Sequence, residues 1–142
     1  MNEVIKFEEA RIYQNENLIL KDINLDIHEN EFVYFVGRVG SGKTTLIKVM
    51  NAEIPLNEGA GYVLDIDLKK LKKKHIPRLR RNLGIVFQDF RLLTDRSVFD
   101  NLQFVLKSTG WKDKKEIRSR IYEVLEKVNL TYKGYKFPHQ LS

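Results

Sequence analysis

The sequence predicts an α/β fold with a β-rich N-terminal part and a helical C-terminal part. Three observations predict it. The run Glu31-Phe32-Val33-Tyr34-Phe35-Val36 is short and nearly all apolar, as a strand buried on both faces must be. It leads into a glycine-rich turn at residues 37 to 44, and Thr44-Thr45-Leu46-Ile47-Lys48-Val49-Met50 then carries apolar residues at helical spacing. Strand, turn and helix in this order begin an α/β unit.

Residues 4 to 13 and 18 to 27 read as two strands joined at Gln14-Asn15-Glu16-Asn17, because Ile19, Ile23, Leu25 and Ile27 largely alternate with polar neighbours. His28-Glu29-Asn30 turns the chain into the apolar run at 31–36. After the helix, a loop over residues 55–61 precedes Gly61-Tyr62-Val63-Leu64-Asp65-Ile66, which reads as a strand. The basic stretch 68–81 follows, and Leu83-Gly84-Ile85-Val86-Phe87-Gln88 is a further short apolar run. Ser97 with Asp100 predicts a capping box opening a helix that carries Val98, Leu102, Val105 and Leu106. Asp113 with Glu116 repeats the device before Ile117, Ile121, Val124, Leu125 and Val128, a stripe that should face a core.

The turn Gly37-Arg38-Val39-Gly40-Ser41-Gly42-Lys43-Thr44 is a full match to G-x-x-x-x-G-K-[ST], a loop that cradles phosphates. Glycines at 37, 40 and 42 permit positive φ and remove Cβ atoms, so successive N–H groups can converge on an anion. The helix N-terminus adds unpaired donors through Thr45 and a partial positive charge. Lys43 is expected at the β- and γ-phosphates and the Thr44 hydroxyl at Mg²⁺. The triphosphate itself brings most of the negative charge that holds the metal.

The 142 residues are enough for one domain that buries about two-thirds of its unfolded surface. The sequence has no cysteine, which excludes disulfides and thiolate metal sites and fits a reducing compartment. Met1-Asn2-Glu3-Val4-Ile5-Lys6-Phe7 lacks the pattern of a secretory leader, and no window reaches the roughly 18 apolar residues of a membrane span, so membrane contact is expected to be peripheral. The net charge of +6 is local, for residues 68 to 81 hold Lys69, Lys70, Lys72, Lys73, Lys74, Arg78, Arg80 and Arg81 without an acid. Such a stretch serves as a solvated face or as a patch for anionic headgroups. No aromatics are interleaved with it, which weighs against nucleic acid.

With these motifs in place, the chain resembles the ATP-binding subunits of ABC transporters, and among them the FtsE-type cell-division proteins. The resemblance covers the whole length and implies an ABC-type fold. Residues 1–90 would form an antiparallel β subdomain with the start of the core sheet, and residues 91–142 part of the helical subdomain. Tyr13, in Arg11-Ile12-Tyr13, matches the family's adenine-stacking residue. Gln88, in Gly84-Ile85-Val86-Phe87-Gln88-Asp89, matches the Q-loop glutamine, which approaches Mg²⁺ and the attacking water. Phe137-Pro138-His139-Gln140-Leu141-Ser142 resembles the approach to the signature L-S-G-G-[QE]. The resemblance further implies ATP and Mg²⁺ as cofactors, a second copy of the subunit, an FtsX-like integral membrane partner, and a place at the inner face of the bacterial plasma membrane.

The sequence as given carries no signature glycines, no match to the Walker B aspartate or the catalytic glutamate after it, and no switch histidine, since His139 lies ahead of the signature. It is therefore expected to bind ATP and to hydrolyse it poorly. The run at 31–36 is expected to lie partly uncovered, leaving a marginally stable fold or one that pairs with another chain. Lipoprotein-release and efflux ATPases are the near alternative. A phosphate loop alone would also suit a kinase or GTPase, although no N-K-x-D occurs, or a nucleotide-gated binding module without turnover.

Overall fold

A computed structural model describes residues 2–141. Ser142, read as the second residue of the signature, lies outside the described residues. The chain divides into two compact units, Met1–Gly84 and Ile85–Ser142.

The first unit is built on a four-stranded antiparallel sheet in the order β2-β1-β3-β4. Strands β1 (Glu3–Gln14) and β2 (Asn17–His28) form the expected hairpin. Asn15 and Glu16 close it with φ of 48° and 68°, the left-handed pair that matches strand twist in a two-residue turn. Apolar alternation in β2 is broken for a physical reason. Glu9 and Asp22 both adopt positive φ, and the pairing shifts from Ala10 with Ile23 to Ile12 with Leu20. A bulge exchanges the two faces of a strand. Leu20 thus packs on the core before the bulge and Ile23 and Leu25 after it, while Ile19 is left exposed. Asn24 holds the distortion, accepting from the Glu9 N–H at 2.9 Å and donating to the Glu9 carboxylate at 2.7 Å.

Helix α1 (Lys43–Met50) lays Leu46, Val49 and Met50 into a core with Phe7, Ala10, Ile12, Leu56 and Val63. Each of the larger side chains contributes about 1.5–3 kcal/mol by burial. The strand expected over residues 61–66 is instead a hairpin of β3 (Glu58–Val63) and β4 (Ile66–Asp67), turned at Leu64 and Asp65 with φ of 48° and 62°. The valine, leucine and isoleucine around that turn hid it from a hydrophobicity reading. Within the basic stretch, helix α2 (Ile76–Arg81) buries Leu79. Arg80 Nε donates to the carbonyl of Asn51 at 3.0 Å and Nη2 to that of Ala52 at 3.3 Å, so one of the basic residues caps the C-terminal end of α1.

The runs at 31–36 and 83–88 are not strands. No ladder forms on either among the described residues. Phe32, Tyr34 and Val36 are 81%, 78% and 92% exposed and Val86 93%, whereas Phe35 and Leu83 pack on the first core. Apolar composition suits a buried strand, yet a strand exists only where neighbours accept its N–H and C=O groups. The expectation of an uncovered run at 31–36 holds for this reason.

In the second unit, α3 (Val98–Ser108) and α4 (Lys114–Lys127) form a small core of Ile117, Ile121 and Leu125 against Phe99, Leu102 and Leu106. Val128 lies past the end of α4 and is 57% exposed, outside the stripe assigned to it. Both caps form, but neither is the reciprocal box. Ser97 accepts from the Asp100 N–H at 3.1 Å while the Asp100 carboxylate binds the Ser97 hydroxyl at 2.7 Å. Asp113 accepts from the N–H groups of Lys115 and Glu116 at 2.7 and 2.9 Å. Among the described residues no helix is long and apolar enough to cross a membrane.

Candidate functional site

The glycine-rich loop leaves the exposed segment at Gly37 and ends on α1. Gly42 stands at the N-cap with φ of 88°, a left-handed conformation that carries no side-chain cap. A second constraint fixes glycine there, because an added Cβ would lie 2.7 Å from Leu20 Cδ2. The first intrahelical bond runs from the Leu46 N–H to the Gly42 carbonyl at 2.9 Å, so the amides of Lys43, Thr44 and Thr45 precede the helical ladder. Gly40, with φ of 81°, faces open space.

The Lys43 ammonium lies back across the loop, donating to the carbonyls of Gly37 and Arg38, each at 2.8 Å, and to Ser41 Oγ at 3.3 Å. The Ser41 N–H donates to the Arg38 carbonyl at 3.1 Å, closing a turn that leaves Arg38 and Val39 exposed. Thr44 is exposed on the first turn and Thr45 half-buried. A concavity of about 430 Å³ beside the loop is lined by Leu20, Tyr34, Phe35, Gly37, Ser41 and Lys43.

This end of α1 therefore gathers an uncapped helix N-terminus, glycines without Cβ atoms and one ammonium. The donor set fits a polyphosphate. Among the described residues no group of three or more His, Cys, Asp or Glu side chains is placed to hold a metal. A hard cation carried in by phosphate oxygens would find the Thr44 hydroxyl as a protein ligand.

Tyr13 sits half-buried at the hairpin end, paired with Leu18. The next two residues of β2, Ile19 and Leu20, are those that lie against Gly42. The sheet thus brings the tyrosine end of the hairpin beside the loop. Two residues missed in the sequence accompany it, Arg11 on the same strand and Glu58 opposite on β3. Period-two spacing could have found Arg11; Glu58 was hidden because β3 begins earlier than read. Hydrogen bonding to the Glu58 carboxylate raises the pKa of the Tyr13 phenol above its usual value.

Gln88 belongs to the second unit, where it is exposed in a turn closed by the Phe90 N–H and the Phe87 carbonyl at 3.1 Å. The Arg91 guanidinium stacks on the Phe87 ring at 3.9 Å. A larger hollow of about 780 Å³ in this unit, between Phe99, Arg118, Tyr122, Tyr132 and Tyr135, includes none of the candidate residues.

The ABC transporter family model matches residues 20–142. The cell division ATP-binding protein FtsE of Bacillus subtilis (strain 168) is 42% identical over 135 residues, which are 95% of this chain and 59% of that protein. FtsE of Streptococcus pneumoniae serotype 2 is 36% identical over 130 residues, 92% of this chain and 56% of that protein. The methionine import ATP-binding protein MetN of Vibrio vulnificus (strain YJ016) is 43% identical over 123 residues, 87% of this chain and 36% of that protein. Among solved structures, the dimeric post-hydrolysis state of the ATP-binding cassette MJ0796 bound to ADP and Pi superposes with a TM-score of 0.82 at 30% identity, covering 97% of this chain and 63% of that one. The cbiO1 protein of Clostridium perfringens, part of the ABC transporter complex cbiONQ, gives 0.85 at 28% identity, covering 100% and 57%. The chain thus spans between half and two-thirds of the length of its FtsE relatives, and on its sequence and its fold it belongs to the ABC transporter ATP-binding family.

Proposed function

We propose that this chain is the nucleotide-binding part of an FtsE-like ABC ATPase that acts with an FtsX-like integral membrane protein in cell division. Residues Gly37 to Thr45 take the phosphates of Mg·ATP, Tyr13 stacks on the adenine, and Thr44 and Gln88 attend the Mg²⁺ and the attacking water. The bound group supplies the scissile phosphoanhydride and the Lewis acid. The chain's own residues bind and orient it. Lys43 exchanges the neutral carbonyls of Gly37 and Arg38 for charged phosphate oxygens, which are stronger acceptors. The subunit works as a homodimer on the cytoplasmic face of the bacterial plasma membrane and reaches the membrane through its partner.

The observation that carries this reading is the end of α1, where left-handed Gly42, an uncapped first turn and the Lys43 ammonium meet. Calorimetry with Mg·ATP tests it. Saturable heat is expected from folded chain, and folded chain without heat would refute the proposal. A second reading, an import ATPase, is favoured by the 43% identity to MetN. Copurification separates the two: an FtsX-like protein supports the first, a methionine permease the second, and a lipoprotein-release permease neither.

A further inference from the structure

The stretch from β4 to the end of α2 holds cations that the fold does not use. Lys70 answers Asp67 at 3.1 Å, and Arg80 is spent on the carbonyls of Asn51 and Ala52. Lys72, Lys73, Lys74, Arg78 and Arg81 are all exposed, and among the described residues none of them pairs with a carboxylate. Like charges this close repel one another. Local helix stability does not account for the lysines either. They lead into α2 through a 3-10 turn at Lys73–His75, and neither element carries an acid in its first turn. Cations are unfavourable at that end of a helix, whereas Arg78 and Arg81 sit in the last turn, where the dipole favours them. Lys74, Arg78 and Arg81, four and three residues apart, fall on one helical face, away from the buried Leu79. Leu64, 37% exposed at the β3–β4 turn, borders the same hollow of about 500 Å³ as Lys72 and Arg78. Asp65 is the one unpaired acid among the residues that line it.

We propose that this ridge, Lys72 to Lys74 with Arg78 and Arg81, docks on the headgroups of an anionic lipid surface, a contact additional to the one that a membrane partner provides. Clustered exposed cations are drawn to such a surface, each adding about 5-fold in affinity. Binding single-stranded nucleic acid by stacking needs aromatic faces, and residues 68–81 contain no Phe, Tyr or Trp. The apolar neighbour here is Leu64, an aliphatic side chain suited to the boundary between headgroups and acyl chains. The inference is independent of nucleotide binding, since none of these residues belongs to the phosphate loop.

Sedimentation of the full chain with vesicles tests it, comparing equal parts phosphatidylcholine and phosphatidylglycerol with phosphatidylcholine alone, without nucleotide. Binding is expected to the anionic vesicles only, and to fall as salt is raised. Combining Lys72→Gln, Lys73→Gln and Lys74→Gln should weaken it on the order of 100-fold, and combining Arg78→Gln with Arg81→Gln roughly 20-fold. The triple variant should keep the parent's Tm, since it removes no ion pair. Combining Lys112→Gln, Lys114→Gln and Lys115→Gln in the second unit removes the same charge and should change binding little. An equal loss there would mean that net charge alone drives association, and overturns the proposal. Soluble glycerophosphate should not compete, because a surface engages several headgroups at once; displacement by it would mark a discrete phosphate site instead. Folded parent that ignores anionic vesicles would refute the inference outright. Tighter binding of a mixed-sequence DNA duplex, with the same dependence on Lys72 to Lys74, would assign the ridge to nucleic acid and refute it equally.

Discussion

At the scale of single residues, two positions of the loop answer to different physics. Gly42 is required twice, by its left-handed φ and by the Leu20 methyl that fills the space of a Cβ. Gly42→Ala is expected to lower stability by about 1–3 kcal/mol, through strain and displacement of Leu20, seen as a lowered Tm in thermal unfolding. Gly40 has equally unusual backbone but open space around it, so any cost of alanine there comes from φ alone. Lys43 is the proposed phosphate-binding residue, and its neighbours in the structure are neutral acceptors. Lys43→Ala should weaken Mg·ATP by about 10- to 100-fold, the worth of about 1.5–3 kcal/mol for a hydrogen bond to a charged group. Its folding should change little, which thermal unfolding without ligand checks. A Lys43→Ala chain that bound ATP as tightly as the parent would contradict the role given to the ammonium.

Among the elements, α4 is the one whose stability can be read most directly. Its cap, Asp113, satisfies two amides, and Asp113→Ala should cost about 1 kcal/mol, with lower helicity by circular dichroism. Further along, Glu123 accepts from Lys127 and from Arg120, each at 2.7 Å. The Lys127 hydrogen bond first and the Arg120 hydrogen bond next hold its pKa down to about 2, against 4.5 ordinarily. A depressed carboxylate stabilises the fold above its unfolded pKa and loses that contribution as pH falls through the folded value. Here the window runs from about pH 4.5 down to about 2. The pair is exposed, so added salt should shrink the effect. The Tm of Glu123→Gln is expected below that of the parent at neutral pH and to converge with it at the acid end. Parallel curves across that window would show that the ion pairs contribute nothing. Helix α1 depends on a different device, with Arg80 of α2 holding the carbonyls of Asn51 and Ala52 just past its C-terminus and Gly42 opening its N-terminus.

For the whole molecule, the two units hold separate cores, one around Phe7, Ile12 and Val49, the other around Ile117, Ile121 and Leu125. Unfolding should accordingly show two transitions. Val49→Ala should lower one, and Ile121→Ala should lower the other by about 2–5 kcal/mol. Mg·ATP at a hundredfold excess over its Kd should stabilise the transition that Val49→Ala identifies by about 2.7 kcal/mol. A single transition moved by both substitutions would show that the units unfold together. The exposed Phe32, Tyr34 and Val36 form an apolar strip that invites association.

The sequence by itself determined the glycine-rich turn into α1, the first hairpin, both helix N-caps and, Val128 apart, the core stripe of α4. Each of these depends on residues close together in the chain, where a glycine, a capping oxygen or a period of two or 3.6 acts locally. Only the tertiary structure decided that the apolar runs at 31–36 and 83–88 stay outside the sheet, for a strand needs neighbours that composition cannot supply. Tertiary contacts likewise turned residues 61–66 into a hairpin and shifted the inward face of β2 at Asp22. They also set Glu58 opposite Arg11 and brought Arg80 to the end of α1, because those pairings join residues far apart along the chain through register and docking.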